Sequence, residues 1–193
     1  QLYSLRDALK ADFEGTIRKL AAIGDPCVEP AGIHDRKPAE VAKLLADLNL
    51  TAPSAHCELP LGDAKNEIIE TALELGHRYL ITGIPPGGRD DYTSTDQVKA
   101  IAEQYCIAAD NVATHGLPVG YHNHDWDLSE FETHPAYHTF LAHTPESVLF
   151  EADLFWIARA GIDPVGFLHV IGPRGKVLHF KDGHVADRSI EIP

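Results

Sequence analysis

The chain has 193 residues, of which 44% are hydrophobic, and its formal net charge is −13. This length and composition suit one sizeable core, so we predict a single domain over residues 1–193. The acidic charge argues against a surface that binds nucleic acid, because such surfaces place basic side chains against the phosphates. No apolar run approaches the roughly 20 residues that span a bilayer, so we expect no membrane partner.

The chain has three cysteines, Cys27, Cys57 and Cys106, and they form neither a CxxC pair nor an even disulfide framework. We expect reduced thiols that are buried as small apolar groups, in a cytoplasmic protein. The sequence begins at Gln1 and contains no methionine. An upstream segment with a targeting signal is therefore compatible with this sequence.

Short β-like runs alternate with longer amphipathic stretches along the whole chain, which is typical of βα units around a parallel sheet. The predicted strands are Leu2–Leu5, Cys27–Pro30, Ala52–His56, Tyr79–Thr82, Val119–His122, Val148–Asp153 and Val177–Phe180. Their spacing fits a TIM (β/α)8 barrel of about 250 residues. An open doubly wound sheet is the alternative, but no glycine-rich phosphate loop follows the first strand. We therefore predict a TIM barrel that lacks its eighth βα unit.

Several helices have recognisable ends. Pro38 suits the first turn of a helix, and Asp163 directly before Pro164 opens another. Ser94 and Gln97 have the spacing of a capping box, and Gly116 lies where that helix should end.

Polar side chains recur at the ends of the predicted strands, where the active site of a TIM barrel lies. They are Glu29, His56, His122, His124, Glu151, Asp153, His179 and Lys181. Residues two apart on a strand share a face, which predicts that three pairs point inward together, one pair from each of the last three predicted strands.

Imidazole and carboxylate groups together are ligands for zinc, manganese or cobalt, so this set predicts a divalent metal site. Each histidine alone has a simpler interpretation as a satisfied hydrogen-bonding group at a strand end. The chain has 12 histidines, which makes chance placement easy. Their recurrence with acids at successive strand ends favours one collective site.

Seven segments carry a further signal, in order along the chain: Gln1–Asp7, Val28–Gly32, Ser54–His56, Gly120–His124, Phe150–Trp156, Ala160–Pro164 and His179–Asp182. Together they resemble the sugar phosphate isomerase/epimerase proteins of the xylose isomerase-like TIM-barrel superfamily, which also includes AP endonuclease family 2. The resemblance covers essentially the whole chain.

The resemblance implies a divalent metal ion, Mn, Zn, Co or Mg, held by residues of the last four strands. Asp153 and His179 match the ligand positions of the sixth and seventh strands. The fifth-strand position carries His122 where relatives commonly have glutamate, and Asp127 is either the alternative ligand or a substrate contact. The eighth-strand glutamate is expected beyond Pro193, since neither Asp187 nor Glu191 follows a predicted eighth strand.

The resemblance further implies proton transfer next to a carbonyl through a metal-stabilised enediolate. Glu29, Glu151 and Asp127 are the candidate catalytic residues. The candidate substrate-binding residues are His56, His124, Trp156 and Lys181. Lys181 attracts a phosphate or oxyanion, or else it pairs with an acid such as Glu151. Trp156 stacks on a sugar, or else it caps the rim of the barrel.

The function that follows is a metal-dependent sugar (phosphate) isomerase or epimerase, with a small sugar or polyol-derived substrate. One alternative keeps the metal and runs an elimination, as in inosose dehydratase or an oxidised-glycoside lyase. Further alternatives are an apurinic-site endonuclease, which the net charge disfavours, and a non-catalytic sugar-binding barrel. An incomplete barrel would have two unpaired edges, so we expect low stability, aggregation or pairing into a homo-oligomer.

Overall fold

The computed structural model describes residues 1–131 and 134–186. Its α-helices are α1 Arg6–Ala11, α2 Phe13–Ile23, α3 Pro38–Asp47, α4 Lys65–Leu75, α5 Thr95–Val112, α6 Ala136–His143, α7 Leu154–Arg159 and α8 Pro164–Ile171. Its strands are β1 Ser54–His56, β2 Tyr79–Thr82, β3 Val119–His122, β4 Glu130–Phe131, β5 His134–Pro135, β6 Leu149–Asp153 and β7 Gly175–His179. Short 3-10 turns lie at Leu2–Leu5, Gly62–Ala64, Gly88–Asp91, Ala113–His115 and Gly172–Arg174.

Five parallel strands form one curled sheet in the order β1-β2-β3-β6-β7, and β4 pairs with β5 as a separate antiparallel hairpin. Helices connect the parallel strands, as the alternating pattern predicts. The register aligns His122 with Glu151 and Asp153 with His179. Polar residues far apart in sequence therefore meet at the carboxyl end of the sheet. The arrangement is a half-barrel, which confirms the predicted fold class.

The predicted strand Cys27–Pro30 is extended but forms only isolated parallel bridges, Cys27 with Thr51 and Ala31 with His56. Prolines explain the interruption, because Pro26, Pro30 and Pro53 cannot donate a backbone hydrogen bond to a ladder. The segment still lies beside β1, since the N–H of His56 donates to the carbonyl of Pro30 at 2.8 Å.

The predicted first strand, Leu2–Leu5, is wrong, because these residues form a 3-10 turn that leads directly into α1. Leu2, Leu5 and Leu9 recur with helical spacing, and Leu2 and Leu9 are buried. The N–H of Leu2 donates to the carbonyl of Glu29 at 2.8 Å, so the turn lies against the extended segment near the site.

The predicted helix ends are confirmed. Pro38 begins α3, Ser94 caps α5 by accepting from the N–H of Gln97, and Asp163 caps α8. Gly116 has φ 67° and ends the turn that follows α5. Such a left-handed position suits glycine, which has no Cβ to clash.

The core is built around aromatic rings that lie between the sheet and its helices. Tyr121 of β3 and Phe150 of β6 pack against Tyr105, Phe140 and Phe167, and all five are nearly or fully buried. A second apolar cluster joins α2 and α3 to the extended segment after α2. These clusters fix the strands whose ends carry the polar groups.

The cysteines depart from their predicted burial. Cys27 is exposed, and Cys57 and Cys106 are half-buried, although all three are free thiols as expected. Cys27 lies in the proline-interrupted segment, where it forms one of the isolated bridges. Among the described residues, none of the helices has both the length and the apolar character required for a membrane span.

Candidate metal centre

Four side chains converge at the carboxyl end of the sheet. His56 ends β1, His122 ends β3, Glu151 lies in β6 and His179 ends β7. One ligand atom from each lies within 4.8 Å of the others, and we call this set the ligand cluster. Since three imidazoles and a carboxylate are suited to a divalent metal ion, the cluster is a possible metal site.

Glu151 lies at the centre of the ligand cluster and is completely buried. Its Oε2 is 2.6 Å from Nε2 of His56 and 2.9 Å from Nδ1 of His122. Burial alone raises the pKa of Glu151, but the hydrogen bond and charge of His56 outweigh it and lower that pKa. Its Oε1 has no hydrogen-bond partner among the described residues, although Nε2 of His179 is 3.3 Å away. A buried carboxylate oxygen without a partner is costly, so this atom is placed to bind a cation.

The histidines of the cluster differ in protonation. Burial, with the charges of the neighbouring histidines, lowers the pKa of His122 well below its ordinary value. Burial also acts to lower the pKa of His179, but the carboxylates of Asp153, Glu29 and Glu151 outweigh it and raise that pKa to about 9. His122 is therefore neutral and has a lone pair available, whereas a metal ion at His179 must displace a proton.

Glu29 reaches the ligand cluster from the extended segment beside β1. Its Oε1 lies 2.9 Å from Nε2 of His179 and 3.4 Å from Nε2 of His56. Its Oε2 accepts a hydrogen bond from the hydroxyl of Ser54. The structure thus places Glu29 against two members of the cluster, and its predicted catalytic role stays a prediction.

Asp153, a predicted metal ligand, lies beside the ligand cluster. Its Oδ1 caps α7 by accepting from the N–H groups of Phe155 and Trp156, each at 3.1 Å. Its Oδ2 is 2.9 Å from Nζ of Lys181 and 3.8 Å from Nδ1 of His179. Burial raises the pKa of Asp153, but the bonds from His179 and Lys181 prevail and lower it. Lys181 therefore pairs with Asp153, whereas the sequence suggested Glu151 as its partner.

Asp127 lies behind His124, away from the ligand cluster. Its two carboxylate oxygens accept the backbone N–H of His124 at 2.8 and 3.0 Å, and burial raises the pKa of Asp127. The His124 ring stacks on Trp126, with centroids 5.5 Å apart, and tilts against Trp156 at 5.8 Å. Asp127 thus fixes the loop that carries His124, and its predicted role in proton transfer stays a prediction.

A cavity of about 190 Å³ opens onto these groups. Its polar and aromatic wall is formed by His56, His122, His124, Trp156, His179 and Lys181. The structure thus brings together all four predicted substrate-binding residues with two of the predicted metal ligands. The three predicted catalytic carboxylates are each less than 10% exposed. Glu29 and Glu151 contact imidazoles of the ligand cluster, whereas Asp127 accepts from the backbone N–H of His124.

Asn123 was missed by the sequence analysis. It is fully buried, and its Oδ1 accepts the N–H of Asp153 at 2.9 Å while its Nδ2 donates to the carbonyl of the same residue. It therefore holds the end of β3 against the end of β6. Its position between two strand-end histidines was the available signal. Asp187 and Glu191 lie outside the described residues.

No protein-family model matches this chain, and no curated protein matches it. Solved structures do. A sugar phosphate isomerase/epimerase from Parabacteroides distasonis aligns with a TM-score of 0.79 at 25% identity, covering 100% of this chain and 81% of that one. The chain has the fold of the sugar phosphate isomerase/epimerase TIM barrels.

A second sugar phosphate isomerase/epimerase from P. distasonis aligns with a TM-score of 0.77 at 22% identity, covering 94% of this chain and 73% of that one. A D-psicose 3-epimerase, solved in the presence of D-fructose, aligns with a TM-score of 0.62 at 18% identity over 87% of this chain and 67% of that one. The resemblance noted in the sequence is thereby confirmed for the fold of this barrel.

Proposed function

We propose that this sugar phosphate isomerase/epimerase-like barrel is a divalent-metal-dependent sugar isomerase or epimerase that moves a proton next to a carbonyl. The observation that carries the proposal is the ligand cluster, His56, His122, Glu151 and His179, which faces a cavity at the carboxyl end of the sheet. Active sites of TIM barrels lie at this end. The fold of the two P. distasonis proteins supports the sugar chemistry.

The residues present fit a metal ion. Oε1 of Glu151 is buried without a hydrogen-bond partner in the described part of the chain, and its pKa is lowered, so it carries a negative charge. The lowered pKa of His122 leaves that imidazole neutral, as a metal ligand must be. Nitrogen donors favour zinc, manganese or cobalt over magnesium, which prefers oxygen ligands.

A bound divalent ion would polarise the oxygens of a hydroxyketone and stabilise the negative charge of an enediolate. The chain's own groups would do the remaining work. Trp156 and His124 form an aromatic wall on which the apolar face of a sugar can stack. Lys181 is held by Asp153 at 2.9 Å and lines the same cavity, where its ammonium can donate to a sugar oxygen.

Three carboxylates are candidates for holding the moving proton. Glu29 contacts His56 and His179, and Glu151 contacts His56 and His122, so each is one imidazole away from the cavity. Asp127 is bound to the backbone of His124. Replacing Glu29 and Asp127 in turn, in protein that still binds metal, tests these two as proton-transfer groups, whereas replacing Glu151 also removes a member of the ligand cluster.

The direct test is deuterium uptake from heavy water into ketohexoses such as D-fructose, followed by NMR with the metal-supplemented protein. Proton transfer next to the carbonyl predicts that deuterium enters at the carbon beside the carbonyl. This exchange should be lost in Glu151→Gln and should stay at the wild-type rate in the control His169→Gln, because His169 is exposed on α8. A dehydrated product instead of exchanged sugar would support the elimination alternative. No exchange and no product with any ketose in the presence of bound metal would overturn the proposal.

A further inference from the structure

Glu29 approaches the ligand cluster from the extended segment beside β1. It lies between the two isolated bridges of that segment, at Cys27 and Ala31. Its side chain is only 9% exposed, and it does not line the cavity at the ligand cluster. A buried carboxylate in this position needs partners within the protein or a cation to stabilise its charge.

Glu29 and Glu151 contact the same two ring nitrogens, Nε2 of His56 and Nε2 of His179. Oε1 of Glu29 lies 3.4 Å from the first nitrogen and 2.9 Å from the second. Glu151 reaches the same two atoms, at 2.6 Å through Oε2 and at 3.3 Å through Oε1. The two imidazole rings are stacked, with an angle of 14° between their planes. Two carboxylates and two nitrogen donors from four segments of the chain therefore meet.

The distances between these atoms suit neighbouring ligands of one ion. With bonds of about 2.1 Å, neighbouring ligand atoms lie about 3.0 Å apart in an octahedral site and about 3.4 Å apart in a tetrahedral one. The contacts of Glu29, at 2.9 and 3.4 Å, are close to these two values. Oε1 of Glu151, which has no hydrogen-bond partner in the described chain, lies beside the same nitrogens. Two carboxylates placed together repel each other, and a divalent cation offsets that repulsion.

Only one oxygen of Glu29 is directed at the imidazoles. The other, Oε2, accepts a hydrogen bond from the hydroxyl of Ser54, which is 5% exposed and begins β1. The hydroxyl therefore fixes the orientation of the carboxylate. A carboxylate that coordinates a metal through one oxygen is commonly held by a hydrogen bond of this kind.

We propose that Glu29 is a further ligand of the divalent ion and coordinates it through Oε1, beside the ligand cluster. The inference rests on the proposed function for the presence of the metal. It deepens that function, because it places Glu29 in the metal centre, whereas the sequence analysis placed it among the catalytic carboxylates. Ser54 is then a positioning residue that acts through Glu29.

Calorimetric titration of cobalt into wild type, Glu29→Gln and Glu29→His tests the assignment. Glutamine keeps the length of the side chain but removes its charge, so cobalt affinity should fall about tenfold or more. Histidine offers a nitrogen donor at a similar reach, so affinity should return to within about threefold of wild type. A carboxylate that only accepts hydrogen bonds from the imidazoles could not be replaced by histidine. Equal losses in both variants, or a Glu29→Gln affinity within about twofold of wild type, would overturn the inference.

The visible absorption of bound cobalt gives a second readout, because it depends on the ligands and their geometry. The bands should change in Glu29→Gln and should match those of wild type in the control Glu70→Gln, since Glu70 is exposed on α4. Circular dichroism establishes that the variants fold. Identical bands in wild type and a folded, cobalt-loaded Glu29→Gln protein would contradict coordination by Glu29.

Ser54→Ala tests the same carboxylate without removing it. Loss of the hydroxyl should lower cobalt affinity about threefold, and Ser54→Thr, which keeps a hydroxyl, should restore it. Because Ser54 acts through Glu29, adding Ser54→Ala to Glu29→Gln should cause no further loss. Additive losses in the double variant would contradict the positioning role of Ser54.

The outcomes distinguish this inference from the proposed function. Metal that binds equally to wild type and Glu29→Gln, but is lost in Glu151→Gln, removes Glu29 from the metal centre and leaves the proposed function standing. Wild type that binds no manganese, zinc or cobalt would overturn both.

Discussion

Gly83→Ala is the smallest change that should disturb the candidate metal centre. The added methyl would lie 2.8 Å from Nδ1 of His56, whereas ordinary contacts begin at 3.4 Å. The imidazole must therefore move by about 0.6 Å to restore an ordinary contact. The rings of His179 and His122 lie on its other sides and limit the directions in which it can move. The backbone at Gly83 is not in the left-handed region, so alanine adds no backbone strain there.

The displacement acts on the hydrogen bond between His56 and Glu151. That bond is 2.6 Å long, so a shift of about 0.6 Å directly away from Glu151 would stretch it to about 3.2 Å, the upper end of the usual range for such bonds, and weaken it. Charge-assisted hydrogen bonds contribute about 1.5–3 kcal/mol, so losing half of one costs about 1 kcal/mol. Together with misplacement of the His56 ligand atom, this predicts a fall in metal affinity of roughly tenfold.

Calorimetric titration of manganese into wild type and Gly83→Ala measures this change. Gly166→Ala is the control, because its added methyl would meet only the exposed Asp163 at the start of α8. Circular dichroism and urea unfolding establish that both variants fold. A folded Gly83→Ala protein whose metal affinity stays within about twofold of wild type would refute the reasoning about His56.

Two further predictions concern the scaffold. Arg174 is buried and donates to the carbonyls of Val148 and Leu141 and to the hydroxyl of Thr144, at 2.6–3.2 Å, so Arg174→Met should lower the free energy of unfolding by about 3 kcal/mol in urea. Arg18→Met is the control, because the ion pair of Arg18 with Glu14 is exposed, and it should lower the free energy of unfolding by less than about 0.5 kcal/mol. Equal losses in the two variants would contradict a stabilising role for the buried hydrogen bonds of Arg174. Burial lowers the pKa of His77 in the folded protein, despite the contact of its ring with the carbonyl of Ala52. Below about pH 6.5 the unfolded chain therefore binds more protons at His77 than the folded chain does, so the free energy of unfolding falls as the pH drops. His77→Asn should therefore lose less stability than wild type between about pH 7.5 and about pH 5.5, and an identical pH profile would contradict a buried neutral imidazole.

The sequence was most informative where strands are continuous. The predicted strands Tyr79–Thr82 and Val119–His122 coincide with β2 and β3, because short apolar runs bounded by turn residues are a strong strand signal. It was least informative at Leu2–Leu5, where the two leucines fit a strand but, together with Leu9, also fit a helical period. The proline-rich segment at 26–30 was intermediate, since its extended shape was predictable but its broken ladder depends on the partner strand.

At the candidate metal centre, too, the sequence predicted some side-chain positions and not others. The rule that residues two apart share a face predicted that His122 and His124 act together, and His122 does join the ligand cluster. Although β3 ends at His122, the ring of His124 also lies against that of His122, with centroids 5.0 Å apart, while its other contacts are the rings of Trp126 and Trp156. Asp153 likewise ends β6, where capping α7 competes for its carboxylate. Such outcomes depend on how loops leave the sheet, which short sequence patterns do not specify.

The proposed function requires a metal ion at the ligand cluster, and the metal content of the purified protein tests this requirement most directly. After exposure to manganese, zinc or cobalt and removal of excess, mass spectrometry should find one ion per chain in wild type and in the exposed control His169→Gln. Glu151→Gln and His179→Gln should each lose most of it, and Asp153→Asn shows whether that carboxylate is also a ligand. Metal-free wild type, or an equal metal content in wild type, Glu151→Gln and His179→Gln, would contradict the central claim.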